Sequence, residues 1–560
     1  MLRLIDIRLP LDHTEDALRA AACERLGIAT TDLLRCTVYR RSVDARRKSA
    51  IMLIYALDVA VRDETAALSR VPERSGKPLT MLRPDDRYRF VARAPAGFSN
   101  RPVVIGTGPC GLFAGLLLAQ MGFRPLILER GKAVRERTQD TWGLWRRSQL
   151  DPESNVQFGE GGAGTFSDGK LYSQISDPMH YGRKVLEEFV KAGAPEEILY
   201  VYRPHIGTFR LVSMVEEMRA TITALGGEIR FQSRVEEIVI EHDADGERQV
   251  RGVILANGER ITTDHVVLAI GHSARDTFRM LHDKGVHIEP KPFSIGVRIE
   301  HPQSLIDRAR WGKFAGHPLL GAADYKLVHH CANGRSVYSF CMCPGGTVVA
   351  ATSEPGHVVT NGMSQYSRNE RNANSGIVVG IDPERDYPGH ALAGIDFQRH
   401  WEASAFEAGG GTYAAPAQRI GDFLLGRPSL AQGNVTPSYR PGVRWTDLSL
   451  YLPEFVTTAL REAIPAFARQ IRGYDLADAV MTGVETRTSS PIRIRRGENL
   501  QSINTRGLFP AGEGAGYAGG ILSAGVDGIR VAEAVALSLT QAEESRHIRR
   551  STAESQIPTG

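Results

Sequence analysis

The stretch Val103-Val-Ile-Gly-Thr-Gly-Pro-Cys-Gly-Leu-Phe-Ala-Gly115, followed by Leu126-Ile-Leu-Glu129-Arg130, constrains the fold more than any other part of the chain. A short apolar strand enters Gly106-x-Gly108-x-x-Gly111, then an Ala/Leu-rich helix, then a second apolar strand that ends in an acid. This order predicts a dinucleotide-binding βαβ unit. Gly106 permits the tight turn, Gly108 brings bare backbone against a pyrophosphate, and Gly111 lets helix and strand pack closely. Pro109 and Cys110 open the helix, whose first N–H groups and dipole favour phosphate. Glu129, with Arg130 beside it, is expected to accept the ribose hydroxyls of an adenosine.

At 560 residues the chain exceeds what one core fills, so two or three domains are expected. Hydrophobic residues at 42% and charged residues at 24% are ordinary for a globular enzyme. The six cysteines follow neither a disulfide framework nor a paired CxxC zinc pattern, so no metal is expected. The start of the chain lacks the apolar core of a signal peptide, and runs such as Ile51–Ala56 and Leu112–Ala119 are short for a membrane span. A bacterial-type cytoplasmic protein is the expectation. The net charge of +4 is concentrated early: residues 1–97 hold 18 Lys/Arg against 13 Asp/Glu.

Residues 1–97 read as a small α+β domain. A strand covers Leu2–Leu9, Thr14 caps a helix to about Leu26 with Glu15 and Asp16 in its first turn, and strands Leu33–Arg40 and Ser49–Val61 flank a basic loop, Arg40–Lys48. A linker follows over 72–100. The basic loop has two readings. It docks onto the protein's own body or a partner subunit, or it binds RNA with Tyr39 and Tyr55 as stacking rings. The modest charge excess favours docking, so nucleic acid is disfavoured as a partner.

The cofactor domain is expected to be discontinuous, with a first segment over 98–290, an inserted cap over 291–475, a second segment over 476–540 and a polar tail over 541–560. Gly226–Val235 leads into a β-meander, and His265–Gly271 is an apolar strand with Ala269 and Gly271 at its end. Gly507–Gly525 is a strand and an acidic glycine loop carrying Gly512, Glu513, Gly519, Gly520 and Ile521, before a helix to about Leu539. The fold class is α/β: a Rossmann-like FAD-binding domain with an inserted α+β cap and a small N-terminal α+β domain.

A simple NAD dehydrogenase needs one Rossmann unit and no acidic glycine loop far downstream. Three separated pieces in this order predict FAD. A fourth agrees: in Phe158–Leu171, the run Gly162-Ala163-Gly164-Thr165 and the closing Lys170-Leu171 can bring bare N–H groups to a ring or phosphate. The alternative for that run is a flexible surface loop. No second GxGxxG and no Cys-x4-Cys pair occurs, so NAD(P)H is expected only as a diffusible co-substrate. No His or Cys sits where covalent flavin attachment is defensible, so the FAD is expected to be non-covalent.

The chain also resembles a bacterial family of FAD-dependent dehydrogenases, described as NAD(P)/FAD-dependent oxidoreductases and distantly similar to geranylgeranyl-reductase and hydroxybenzoate-hydroxylase type flavoproteins. The resemblance is carried by Arg41–Arg46, Gly106–Gly111, Gly162–Lys170, Ala269–Asp276, Phe340–Gly346, Asn361–Ser364, Asn372–Ser375, Gly483–Pro491 and Ala511–Gly514. It implies FAD, a two-domain flavoprotein body and an N-terminal appendage, and it brings no substrate.

Catalytic candidates are few because a flavin carries its own chemistry. Arg487 precedes the last cofactor segment and is expected near the ring, where it binds an anionic substrate or reduced flavin. Its alternative is an ion pair with Glu485 or Glu513. Lys170 is expected at flavin N5 or C4=O, against a solvent-exposed alternative. His272 is an acid/base or, more simply, a turn residue bonded to backbone. Cys341 and Cys343 are a redox dithiol, a soft-metal site, or buried packing residues, the last favoured. Asn361, Tyr366, Arg368, Asn372, Asn374, Gln418 and Arg419 line a polar pocket or satisfy buried backbone.

The leading expectation is an FAD-dependent dehydrogenase or reductase acting by hydride transfer on a polar small molecule. An electron donor or acceptor partner is implied, and the oligomeric state is open. The rivals are a flavin monooxygenase using NAD(P)H and O2, and a flavin-dependent RNA-modifying or redox-sensing protein.

Overall fold

Short apolar segments that are far apart in sequence end side by side in the computed structural model, which describes residues 1–69, 73–74 and 77–554. Strands Leu508–Pro510, Val266–Leu268, Val103–Ile105, Leu126–Leu128 and Glu228–Arg230 form a five-stranded sheet in that order. Every neighbouring pair is parallel. Helix Pro109–Gln120 is apolar on all sides because it is buried on all sides, between the sheet and the long helix Ile521–Glu554. The loops leaving the C-terminal ends of four of these strands therefore converge, which is where open α/β sheets bind ligands. The expected meander is present as antiparallel strands Val235–His242, Arg248–Leu255 and Arg260–Thr262.

The cap is an eight-stranded sheet with helices Ala393–Ala408 and Glu454–Ala468 against it. Its central strands, Phe293–Pro302 and Asn372–Ile381, are almost wholly buried and pair antiparallel along their full length. Strand Val480–Glu485 belongs here too, paired with Phe293–Pro302 and Ala415–Arg419. The cap thus extends beyond the boundary expected at residue 475. Six buried residues in a row fit a strand covered on both faces as well as they fit a cofactor-domain strand.

The N-terminal sheet has the order Leu33–Asp44, Met52–Val61, Leu2–Pro10, Thr80–Leu82. Three details differ from the sequence reading. Strand Leu33–Asp44 runs on through half of the basic loop, because its residues to Asp44 keep partners on Met52–Val61. Thr80–Leu82, inside the expected linker, is an edge strand against Leu2–Leu4. Thr14 stands at the helix start without a side-chain cap bond.

The domain docks through that basic strand. The Arg41 N–H donates to the Tyr200 carbonyl at 2.6 Å and the Tyr202 N–H donates to the Arg41 carbonyl at 2.9 Å. The Arg40 guanidinium lies over the Tyr202 ring. Tyr39 is stacked under Arg3, and Tyr55 is buried with its hydroxyl on His13, so both rings expected for RNA stacking are engaged internally. The last helix continues to Glu554, so residues 541–554 of the expected polar tail are helical, and 555–560 lie outside the described residues.

Candidate functional site

The converging loops enclose a cavity of about 360 Å³. Gly106, Gly108, Pro109, Cys110, Glu129, Arg130, Gly162, Ala163, Gly164, Lys170, Val235, Ala269, Gly271, Gly512, Glu513, Gly519, Gly520 and Ile521 all line it, as does Arg487. Three expected contacts stand behind the wall. Gly111 sits where a Cβ would meet the Gly106 carbonyl oxygen at 2.0 Å, Leu171 is in the core, and the Thr165 carbonyl accepts from the Thr208 hydroxyl.

At one end the backbone is bare. Gly106 has φ +101°, and a Cβ there would strike the Ala269 carbonyl at 2.4 Å. A Cβ on Gly108 would meet nothing nearer than the Gly162 Cα at 3.8 Å, so this position opens into the cavity. Helices Pro109–Gln120 and Ile521–Glu554 both begin at the cavity, the second behind the exposed Gly519 and Gly520. Two helix N-termini over glycine backbone make a site for negative charge.

Glu129 does not offer free lone pairs to a ribose. One carboxylate oxygen accepts from the Thr107 N–H (2.9 Å) and hydroxyl (2.6 Å), the other from the Gly131 and Gly159 N–H groups, both at 2.9 Å. It pins three loops together instead. Arg130 is held by Glu153 and Asp276 and stacks over Phe158.

The other end is ionic. Lys170 is half-buried rather than solvent-exposed, 2.9 Å from Asp168. Arg487 pairs neither with Glu485 nor with Glu513. Its partner is Glu402 of the cap helix Ala393–Ala408, reached at 3.1 and 2.9 Å, and its remaining nitrogen donates to Ser273 and Ser353. Arg275 clasps the same carboxylate at 2.7 and 3.0 Å. Glu485 belongs to Arg298. Glu513 faces the cavity with no hydrogen-bond donor on its carboxylate among the described residues, and burial pushes its pKa up to about 7.

The polar cap cluster divides. Asn361 reaches the cavity, while Asn372 satisfies Glu300 and the Thr436 carbonyl, and Asn374 bonds to Arg298. Gln418 bonds to the Arg427 carbonyl and Arg419 to Asp422. Tyr366 and Arg368 line a second cavity, a groove of about 910 Å³ between the N-terminal sheet and the body. Arg8, Arg41, Arg46, Arg203 and Arg310 also border that groove, and Tyr172 lines both cavities. Sequence reading missed Asp168, Tyr172 and Ser273 as wall residues. Asp168 and Tyr172 lie in or just after the glycine-rich run and carried no separate signal.

His272 bonds to the Ser273 hydroxyl at 2.9 Å, and burial followed by Arg487 and Arg275 pushes its pKa down to about 3. The lowered value favours the neutral ring. Burial likewise lowers His205 and His301 to about 4. These three rings take up protons on unfolding once the pH drops below the ordinary histidine value of ~6.5, so each costs stability from there down to its folded pKa. The expected slope is about 1.4 kcal/mol per pH unit for each ring. Thermal melts from about pH 7 to about pH 5 should show a steep fall in midpoint. A flat profile would mean that the rings are protonated in the folded state.

Residues 292–488 match the family described as FAD-dependent protein, C-terminal domain-like, and residues 1–60 match a domain of unknown function. A Clostridium beijerinckii protein described as an uncharacterized protein is 46% identical over 537 residues, 95% of this chain and 98% of that one. Among solved structures, the halogenase PltM is 13% identical with a TM-score of 0.38, over 80% of this chain and 70% of that one. The 3-ketosteroid-Δ4-(5α)-dehydrogenase of Rhodococcus jostii is 13% identical with a TM-score of 0.34, over 80% and 99%. No helix among the described residues is long and apolar enough to cross a membrane.

Proposed function

The chain belongs to the same family as the Clostridium beijerinckii protein, and we propose that it is an FAD-dependent dehydrogenase or reductase acting by hydride transfer on a polar, anionic small molecule. One observation carries this reading. The glycine turn, the Gly162–Gly164 run, the strand end at Ala269–Gly271 and the Gly512–Ile521 loop share one cavity, with two helix N-termini at one end of it. The match of the cap to an FAD-dependent family supports it.

The residues present fit FAD. Open space at Gly108 and at Gly519–Gly520 admits a pyrophosphate against backbone N–H groups. Glu513 supplies an acceptor without a protein donor, suited to a sugar-chain hydroxyl. With Glu129 committed to the protein, Arg130 and the backbone of Ser233–Val235 remain for the ribose. The flavin, when bound, supplies two-electron hydride chemistry.

The chain's own groups then divide the work. Lys170 brings a fixed ammonium to the ring end and favours negative charge there, while Asn361 offers an amide for orientation. Arg487, spoken for by Glu402, orders the wall, whereas Lys170 has only a share of Asp168 with Arg368 and so keeps spare positive charge toward the cavity. The arginine-bordered groove that meets the cavity at Tyr172 is an entry route for an anion, drawn by its surplus of positive side chains. Six free cysteines fit a reducing cytoplasm.

The test is the visible spectrum, followed by anaerobic mixing with NADH and NADPH. A yellow protein that bleaches with one of them is a nicotinamide-driven reductase. One that stays oxidised takes electrons from its own substrate or a carrier protein. A colourless protein that FAD does not reconstitute would overturn the reading.

A further inference from the structure

Cys341 and Cys343 sit in strand Ser336–Ala350, which pairs with Asn372–Ile381 up to Phe340↔Gly376 and resumes only at Cys343↔Asn374. The interruption is a bulge. At its head Cys341 adopts φ +43°, a left-handed conformation that costs a non-glycine residue energy and that recurs at functional positions. The bulge turns Cys341 into the wall of the cofactor cavity, beside Lys170 and Asn361. Cys343 is fully buried behind it, with its Sγ 3.3 Å from the Cys341 carbonyl oxygen.

The charges around the pair do not cancel without it. Arg368 holds Asp168 in a two-pronged bridge at 2.9 and 2.5 Å, and Lys170 must share that same carboxylate at 2.9 Å. Arg298 bridges to Glu485 and donates to the Cys341 carbonyl at 2.8 Å. Two half-buried cations, Lys170 and Arg368, thus share one carboxylate beside the buried Arg298–Glu485 pair, which leaves one positive charge without a carboxylate of its own. A thiolate on Cys341 would balance it.

We propose that Cys341 and Cys343 are a redox-active dithiol that exchanges an electron pair with the flavin, a step that rests on the FAD reading above. The Cys341 thiolate and the Cys343 thiol join in an S–S bond. The electron pair and the Cys343 proton pass to oxidised FAD, giving the anionic reduced flavin. Charge balances, because one negative charge leaves sulfur and one appears on the ring, and the flavin is the oxidant. The reverse step cleaves the disulfide with electrons that the flavin has taken from its substrate.

The acid–base character of the pair agrees. A hydrogen bond from Cys343, then Lys170 and Arg298, hold the Cys341 thiol down to about 5, while the same bond and burial push Cys343 up. One sulfur is poised as the thiolate and the other as the proton carrier.

The experiment is an anaerobic reductive titration of the air-oxidised holoprotein, paired with a thiol count on acid-quenched, unfolded samples. Wild type is expected to take up about twice the reducing equivalents per flavin that Cys341→Ser or Cys343→Ser takes up, since a disulfide accepts as many electrons as a flavin. Its oxidised form should also hide two thiols from alkylation that reappear on reduction. Both serine variants are expected to remain yellow, because serine keeps the volume of the wall. Equal equivalents in all three proteins, with every thiol alkylated in the oxidised wild type, would overturn the dithiol and leave the FAD reading intact. A wild type that binds no flavin would overturn both. If a serine variant fails to fold, the wild-type thiol count before and after reduction decides by itself.

Discussion

Gly108→Glu is expected to yield a folded protein without flavin. The geometry separates this substitution from its neighbours. A Cβ at Gly108 has only the Gly162 Cα within reach, at 3.8 Å, and the backbone there is extended at φ −67°. The side chain therefore enters the cavity and disturbs no packed atom. Its carboxylate would stand where the pyrophosphate belongs. Two like charges about 4 Å apart cost about 4 kcal/mol at an effective dielectric of 20, a loss of affinity of about a thousandfold. Gly111→Val is the contrasting control. Its Cβ would lie 2.0 Å from the Gly106 carbonyl oxygen, so that variant should fail to fold rather than merely lose cofactor. Flavin absorbance per protein, read beside a thermal melt, distinguishes the two. A fully yellow Gly108→Glu would remove the phosphate assignment.

The reason Gly108 was legible in the sequence is that its signal is local. Strand, glycine turn, helix and second strand lie within Val103–Arg130 and report one another. The segments at Val266–Leu268 and Leu508–Pro510 were legible as strands, each apolar and ending where a glycine-containing loop begins, but their order in the sheet comes only from the fold. Most residues named from these segments line one cavity. What stayed hidden was pairing over distance. Arg487 was placed near the site, but its partner lies on a helix of the cap, and nothing in the residues around position 402 marks one glutamate among its neighbours. Glu129 shows the complementary limit. It lines the cavity, yet the loops at Thr107, Gly131 and Gly159 saturate its carboxylate, and only the folded backbone could show that. The bulge at Cys341 was hidden for a third reason, because an extra residue in one strand shows only against the strand it pairs with.

Glu402→Ala is expected to be strongly destabilising, because it removes the anion that two buried arginines share. Glu402 has no exposed surface, and Arg275 and Arg487 are almost as buried. Four guanidinium contacts of 3.1 Å or less converge on the carboxylate, and the Thr486 hydroxyl adds a further donor at 2.8 Å. Breaking a buried pair from one side costs about 3–5 kcal/mol, since the charge left behind has neither water nor partner. Here Arg275 retains Glu354, reached through one nitrogen, whereas Arg487 is left with two serine hydroxyls. Arg487 should therefore be the residue that moves. It lines the cavity, so the loss should reach the flavin spectrum and not only the melting temperature. Glu402→Gln, which keeps an acceptor but no charge, should fall between wild type and alanine. Acid provides the same perturbation reversibly. The two guanidinium groups hold the Glu402 pKa well below the ordinary carboxylate range. A depressed carboxylate stabilises above its unfolded pKa of ~4.3 and loses that contribution as the pH falls below it. Melts of wild type and Glu402→Ala should thus differ most near neutral pH, and the gap should begin to narrow only below about pH 4 and close progressively toward the depressed folded pKa. An alanine variant with unchanged stability and spectrum would mean that Arg275 and Arg487 find water where the structure shows packed protein.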